Sequence, residues 1–119
     1  MSRQAAILLF VGDRPVRCSL QFSLTVEGFE TGDGAAEDSD LSAALALVID
    51  ESYRGDGLAM LETLRATGCS APAIILATNP SSRLRARAAA AGAALIEKPL
   101  LGDELSAAIG VALETRKAA

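Results

Sequence analysis

Four side chains with chemistry in them stand where short apolar runs end: Asp13 in VGDRP, Asp50 in LALVID, Thr78 in ILATNP and Lys98 in IEKP. Together they offer two carboxylates, one hydroxyl and one ammonium. The chain has no histidine, so neither a Ser/His/Asp nor a Cys/His arrangement can form, and a zinc site of the ordinary type cannot be assembled. Cys18 and Cys69 lack CxxC spacing; they read as free thiols of a reducing compartment that fill space in the fold.

Such residues can cooperate only if the chain brings its strand ends to one place. The runs AAILLFV at 5–11, LALVI at 45–49 and PAIILA at 72–77 are too short for core helices. They are also too uniformly apolar for strands with one wet face, so they read as strands buried on both sides. FET near 29 and ALI at 94–96 are weaker candidates.

Helical patterns lie between the runs. Pro15 suits a first helical position, and Val16, Leu20 and Leu24 recur every four residues. Asp56 can cap a helix in which Leu58, Leu61 and Leu64 share a face, with Gly68 as its stop. Asn79 and Pro80 read as the cap and first turn of SSRLRARAAAA, which ends at Gly92. The last helix repeats Leu101, Leu105, Ile109 and Leu113, and TGDGAAEDSDLSAA at 31–44 reads as a loop with an abbreviated helix.

Strands alternating with helices imply an α/β fold: a doubly wound, five-stranded parallel sheet covered on both faces, with right-handed crossovers. Ligands in such sheets bind beyond the carboxyl ends of the strands, where the chain order reverses. Asp13, Asp50, Thr78 and Lys98 would each reach that edge from a different strand.

The 119 residues suffice for one domain, 1–119, with no repeat or linker. Few aromatics are present, so the core must come from Ala, Leu, Ile and Val. A net charge of −4 argues against direct nucleic-acid binding, which needs a clustered basic surface. The first apolar run is about half of a membrane span and lacks a signal-peptide layout, which points to the cytoplasm and to no membrane partner. A flavodoxin-like cofactor binder is disfavoured, because no glycine-rich phosphate loop follows the first run and few aromatics could stack on a flavin.

An aspartate after strand one, an aspartate after strand three, a threonine after strand four and Lys-Pro after strand five, in this order and at these distances, resemble the receiver domain of two-component response regulators. This is the CheY-like superfamily with a flavodoxin-like (βα)5 fold, here with a shortened second helix, and the resemblance covers essentially the whole chain.

It implies a switch that phosphorylates and dephosphorylates itself at most, not an enzyme that turns over substrate. Asp50 would accept a phosphoryl group from a histidine kinase or a histidine phosphotransfer protein. Mg²⁺ would be held by Asp13, Asp50 and the backbone carbonyl of Ser52, while Lys98 and Thr78 contact phosphoryl oxygens. The family's Lys-Pro bond is usually cis, so Lys98–Pro99 is expected to be cis. The fourth helix, fifth strand and fifth helix form the family's usual surface for an effector or a dimer partner, and Arg83, Arg85 and Arg87 lie on that fourth helix. Both a stand-alone regulator and a piece of a longer one are compatible with the terminal Arg116 and Lys117.

The chain departs from the family pattern in five places. Gly12 replaces the first of two adjacent acids, leaving Asp13 as the only carboxylate of that loop. The loop after Asp50 is one residue shorter, and Arg54 stands where proline is common. Leu95 occupies the position of a switching aromatic, and Asn79 replaces a small residue after the threonine. These departures define an alternative: a degenerate receiver acting as a phosphorylation-independent protein-interaction module.

Overall fold

The computed structural model describes residues 6–35, 41, 44–98 and 104–118. Five parallel strands form one sheet: β1 (Ile7–Phe10), β2 (Thr31–Asp33), β3 (Ala46–Asp50), β4 (Ala73–Ala77) and β5 (Ala93–Glu97). Four helices accompany them: α1 (Arg14–Val26), α2 (Gly57–Ala66), α3 (Ser82–Ala90) and α4 (Glu104–Ala118). The spatial order is β2-β1-β3-β4-β5, so the chain reverses direction across the sheet between β1 and β3. The crevice beyond their carboxyl ends is therefore the place where this architecture binds ligands.

The apolar runs become strands because both of their faces are covered. Ile7, Leu9, Val48, Ile74 and Leu76 join Leu20 and Leu24 of α1 and Leu105 and Ile109 of α4 in one core. Leu8, Phe10, Leu47, Ile49 and Ile75 join Leu58 and Leu61 of α2 and Ala88 of α3 in the other. Alternate residues of a strand thus serve opposite layers, which is why the runs show no polar alternation.

Thr31–Asp33 corrects the expectation of a loop. Ile7 and Leu9 of β1 pair with Thr31 and Asp33, and pairing along an open sheet edge outweighs the weak strand preference of Gly and Asp. Val16 lies off the buried face of α1 and is 42% exposed. Cys18 is exposed on the same helix, so it does not fill the core as expected, whereas Cys69 packs against the α2/α3 core. The abbreviated second helix, Pro99 with its expected cis bond, and Leu101 fall outside the described residues.

The helix caps are local and polar. Asp56 Oδ1 accepts the Ala59 N–H at 3.0 Å, as its position before α2 predicts. At α3 the cap is Ser81, whose Oγ accepts the Leu84 N–H at 3.1 Å, and not Asn79. Asn79 instead takes a left-handed backbone, φ 48°, a conformation Asn tolerates better than most residues.

At the opposite end of the sheet, Arg65 ties α2 to its neighbours. Its Nε donates to the Ala91 carbonyl at 2.8 Å, and Nη1 donates to those of Cys69 at 3.0 Å and Ala71 at 2.6 Å. Among the described residues, no helix is long and apolar enough to cross a membrane.

Candidate functional site

Asp50 closes β3, paired in register with Leu76 of β4. It is 7% exposed and is the only buried charged residue among those described. Its Oδ1 accepts two hydrogen bonds from Ser52, one from the backbone N–H at 2.9 Å and one from the hydroxyl at 2.6 Å. Its Oδ2 accepts one from Lys98 Nζ at 2.8 Å. Burial is the largest influence and by itself would push the carboxyl pKa up. The hydrogen bonds from Lys98 and Ser52, together with the lysine charge, outweigh burial and hold it below the ordinary 3.8. A buried carboxylate is thereby kept ionised at neutral pH.

Lys98 is aimed by the sheet. Its backbone N–H donates to the Ala77 carbonyl at 2.7 Å, carrying the β4–β5 ladder one step past Glu97. The side chain then turns across the ends of β4 and β3 to reach Asp50.

The loop after Asp50 folds in a way its composition allows only once it is short. The Ser52 carbonyl accepts the Gly55 N–H at 2.9 Å, closing a single 3₁₀ turn at Tyr53–Gly55. Arg54 has φ 50° and Gly55 φ 89°. Proline, locked near −65°, cannot adopt the first of these, which gives the physical reason why proline does not stand here. The Tyr53 ring packs edge-on against Phe10 with centroids 5.7 Å apart, and the Arg54 guanidinium lies 5.4 Å from its centroid. The turn is thus held between core and solvent. Gly57 then enters α2 directly against the Asp50 carbonyl and the Ile49 side chain, where a Cβ has no room.

Asp13 stands past the neighbouring strand end. Phe10 pairs with Ile49, so the residues after β1 run beside the end of β3. Asp13 itself is exposed and caps α1, its Oδ1 accepting the Val16 N–H at 3.2 Å. A Cβ at Gly12 would meet nothing within 4 Å. Among the described residues, no group of three or more His, Cys, Asp and Glu side chains converges on a point.

Thr78 lies exposed just beyond β4, and its backbone N–H donates to Glu51 Oε1 at 3.2 Å. Beside it an open groove of about 520 Å³ is lined by Glu51, Asn79, Pro80, Ser81, Arg83 and Arg87, among others. The basic cluster is largely engaged within the fold. Arg87 bonds Glu62 at 2.9 Å and lies 3.7 Å from Asp56, and Arg85 approaches Glu97 at 3.9 Å.

Of the residues singled out from sequence, Asp50, Ser52 and Lys98 are in direct contact. Thr78 is linked to the same loop through Glu51, and Asp13 stands at the adjoining strand end as a helix cap. Two features were not legible beforehand. The Ser52 hydroxyl, and not only its backbone, grips Asp50; the available signal was a Ser two residues past an Asp, the spacing of a side-chain-closed turn. The Glu51 bridge to Thr78 joins residues 27 apart and had no local signal.

No family model and no curated protein sequence matches the chain. Solved structures do. NtrX from Brucella abortus is 28% identical with a TM-score of 0.81 over 98% of this chain, which spans only 29% of the NtrX chain. The separate receiver domain of the same NtrX is 28% identical with a TM-score of 0.78, over 92% of this chain and 98% of that one. A CheY-like receiver domain protein from Methanospirillum hungatei JF-1 aligns over 98% of both chains at a TM-score of 0.82 and 21% identity. The chain therefore has the receiver-domain fold of the CheY-like response regulators, the family it resembles along nearly its whole length.

Proposed function

We propose that this chain, 1–119, is a phosphoacceptor receiver domain, phosphorylated on Asp50 by a histidine kinase or a histidine phosphotransfer protein in the cytoplasm. The observation that carries this reading is the buried, ionised Asp50 set between Lys98 Nζ at 2.8 Å and the two donors of Ser52. A carboxylate oxygen of Asp50 attacks the phosphorus of a phosphohistidine. The new P–O bond forms as the P–N bond breaks, and the imidazole nitrogen keeps the electron pair. Charge gathers on the peripheral phosphoryl oxygens of a loose transition state, so fixed donors matter more than covalent help. Lys98 is placed to pass from Asp50 Oδ2 to one of those oxygens, and Thr78 stands at the rim to hydrogen-bond another.

The donor set suits Mg²⁺. Asp13 and Asp50 offer hard carboxylate oxygens at adjoining strand ends and Ser52 a carbonyl, and Mg²⁺ retains several waters, so a small protein set suffices. When bound, the ion offsets the negative charge of the phosphoryl group.

The test is incubation with Mg²⁺ and acetyl phosphate followed by intact mass. Wild type is expected to gain one phosphoryl group and Asp50→Asn none. A wild type that stays unmodified at every Mg²⁺ concentration would remove this reading, leaving the phosphorylation-independent interaction module.

The missing acid yields a second expectation. Because the space at Gly12 is open, Gly12→Asp should bind Mg²⁺ about tenfold more tightly, the equivalent of roughly 1.4 kcal/mol. It should also show a larger rise in thermal midpoint on adding Mg²⁺ than wild type does, since a ligand bound only by the folded state stabilises it. Equal midpoint shifts in the two proteins would mean that the Gly12 loop does not border the ion.

A further inference from the structure

Glu51 takes no part in holding Asp50, yet it joins the two loops that flank it. Its backbone N–H donates to the Leu76 carbonyl at 2.9 Å, and its carbonyl accepts the Gly57 N–H at 2.9 Å, so its main chain is pinned between β4 and the start of α2. Its side chain reaches forward to the Thr78 N–H at 3.2 Å. Among the described residues, no other hydrogen bond reaches the Thr78 N–H, Asn79 or Pro80. The stretch so held includes the left-handed Asn79 and runs into the cap of α3. It also forms one wall of the groove containing Arg83, which makes no ion pair with any described residue.

We propose that Glu51 is a positioning residue that latches the loop between β4 and α3, and that added negative charge at Asp50 drives its carboxylate off the Thr78 amide towards Arg83. The release half rests on the phosphoacceptor reading; the latch half does not. The physical reason is like-charge repulsion. Asp50 as a carboxylate is neutralised by Lys98, and a phosphoryl group adds further negative charge. Mg²⁺, which Asp13 would hold on the β1 side of β3, offsets it there, whereas the Glu51 carboxylate lies on the β4 side, tied among the described residues by one surface hydrogen bond. The Arg83 guanidinium, which makes no ion pair with any described residue, offers the displaced carboxylate an alternative on the same groove wall.

The experiment compares wild type, Glu51→Ala and Glu51→Gln, each as residues 1–119, by ¹⁵N amide spectra and amide hydrogen exchange at neutral pH, with unchanged core amides as the check on folding. Exchange of the Thr78 amide should rise about tenfold in Glu51→Ala, the worth of one hydrogen bond, and less in Glu51→Gln, whose amide oxygen still accepts. Equal exchange in all three would overturn the latch.

Adding Mg²⁺ and beryllofluoride, a phosphoryl mimic, should bring the wild-type Thr78 amide to the unprotected behaviour of Glu51→Ala. Glu51→Gln, which has no charge to repel, should keep its protection. Identical responses of wild type and Glu51→Gln would overturn charge-driven release. If beryllofluoride leaves wild type and Asp50→Asn equally unperturbed, the phosphoacceptor reading falls and release falls with it, while the exchange rates of the three proteins still decide the latch.

Discussion

Replacing Lys98 by methionine is expected to slow formation of the phosphoryl adduct by roughly a hundredfold, the usual loss when one preorganised donor to a charged transition state is removed. The same change should weaken how steeply stability falls on acidification. In wild type the Asp50 carboxyl is held below its ordinary 3.8, so the folded state binds this proton less readily than the unfolded chain does. The stabilisation is complete above the unfolded value and is lost as pH falls through the folded one.

Without Lys98, burial, the largest influence on Asp50, is opposed only by the Ser52 hydrogen bonds, and the folded-state value moves upward. If it passes the unfolded value, Asp50 destabilises the fold at neutral pH, and mild acidification relieves the penalty. The cost at pH 7 should be about 2 kcal/mol, less than for a fully enclosed pair, because the Lys98 side chain is 32% exposed. Urea unfolding of both proteins from pH 7 down to about pH 2.5, through and below the ordinary carboxyl range, provides the measurement. A Lys98→Met protein that loses stability on acidification as steeply as wild type would mean that the ion pair does not govern Asp50. Arginine should restore the charge but not the function fully, since a planar fork does not fit where a compact ammonium sits.

The second large effect belongs to Gly57. A Cβ there would run into the Asp50 carbonyl and the Ile49 side chain. The first is main chain at the end of a central strand, and it has little freedom to give way. Gly57→Ala is expected to lower the unfolding free energy by about 3 kcal/mol, read from the urea midpoint. It should also slow adduct formation, because the shift is transmitted to the residue bearing the carboxylate. Gly12→Ala is the matched control: it enters open space and should stay within about 0.5 kcal/mol of wild type. If the two alanine variants unfold at the same midpoint, the close approach of α2 to β3 is not a constraint on this fold.

Four of the five strand segments, the parallel sheet and the strand-end positions of Asp13, Asp50, Thr78 and Lys98 could be read from the chain, whereas β2 falls at Thr31–Asp33, in the stretch expected to be a loop. Apolar runs of strand length bounded by Gly, Pro and Asp leave few alternatives. A strand that must be buried on both faces implies helices on both sides. The caps were partly legible: Asp56 does what its position predicts, whereas Asn79 before Pro80 matches a capping pattern but is taken up by a left-handed turn, leaving the cap to Ser81. Arg65 could not be read at all, since its carbonyl partners at Cys69, Ala71 and Ala91 come together only when the ends of α2, β4 and α3 do.

What residue types and order determined here is which groups can do chemistry and at which edge they gather, because strand periodicity and crossover handedness leave that edge almost no freedom. Tertiary structure decided how those groups are engaged. Asp50 is gripped by the Ser52 hydroxyl as well as by Lys98, Asp13 serves as a cap on α1, and Glu51 reaches across to Thr78. Such contacts depend on distances of a few tenths of an ångström between separate elements, and neither composition nor spacing specifies those distances.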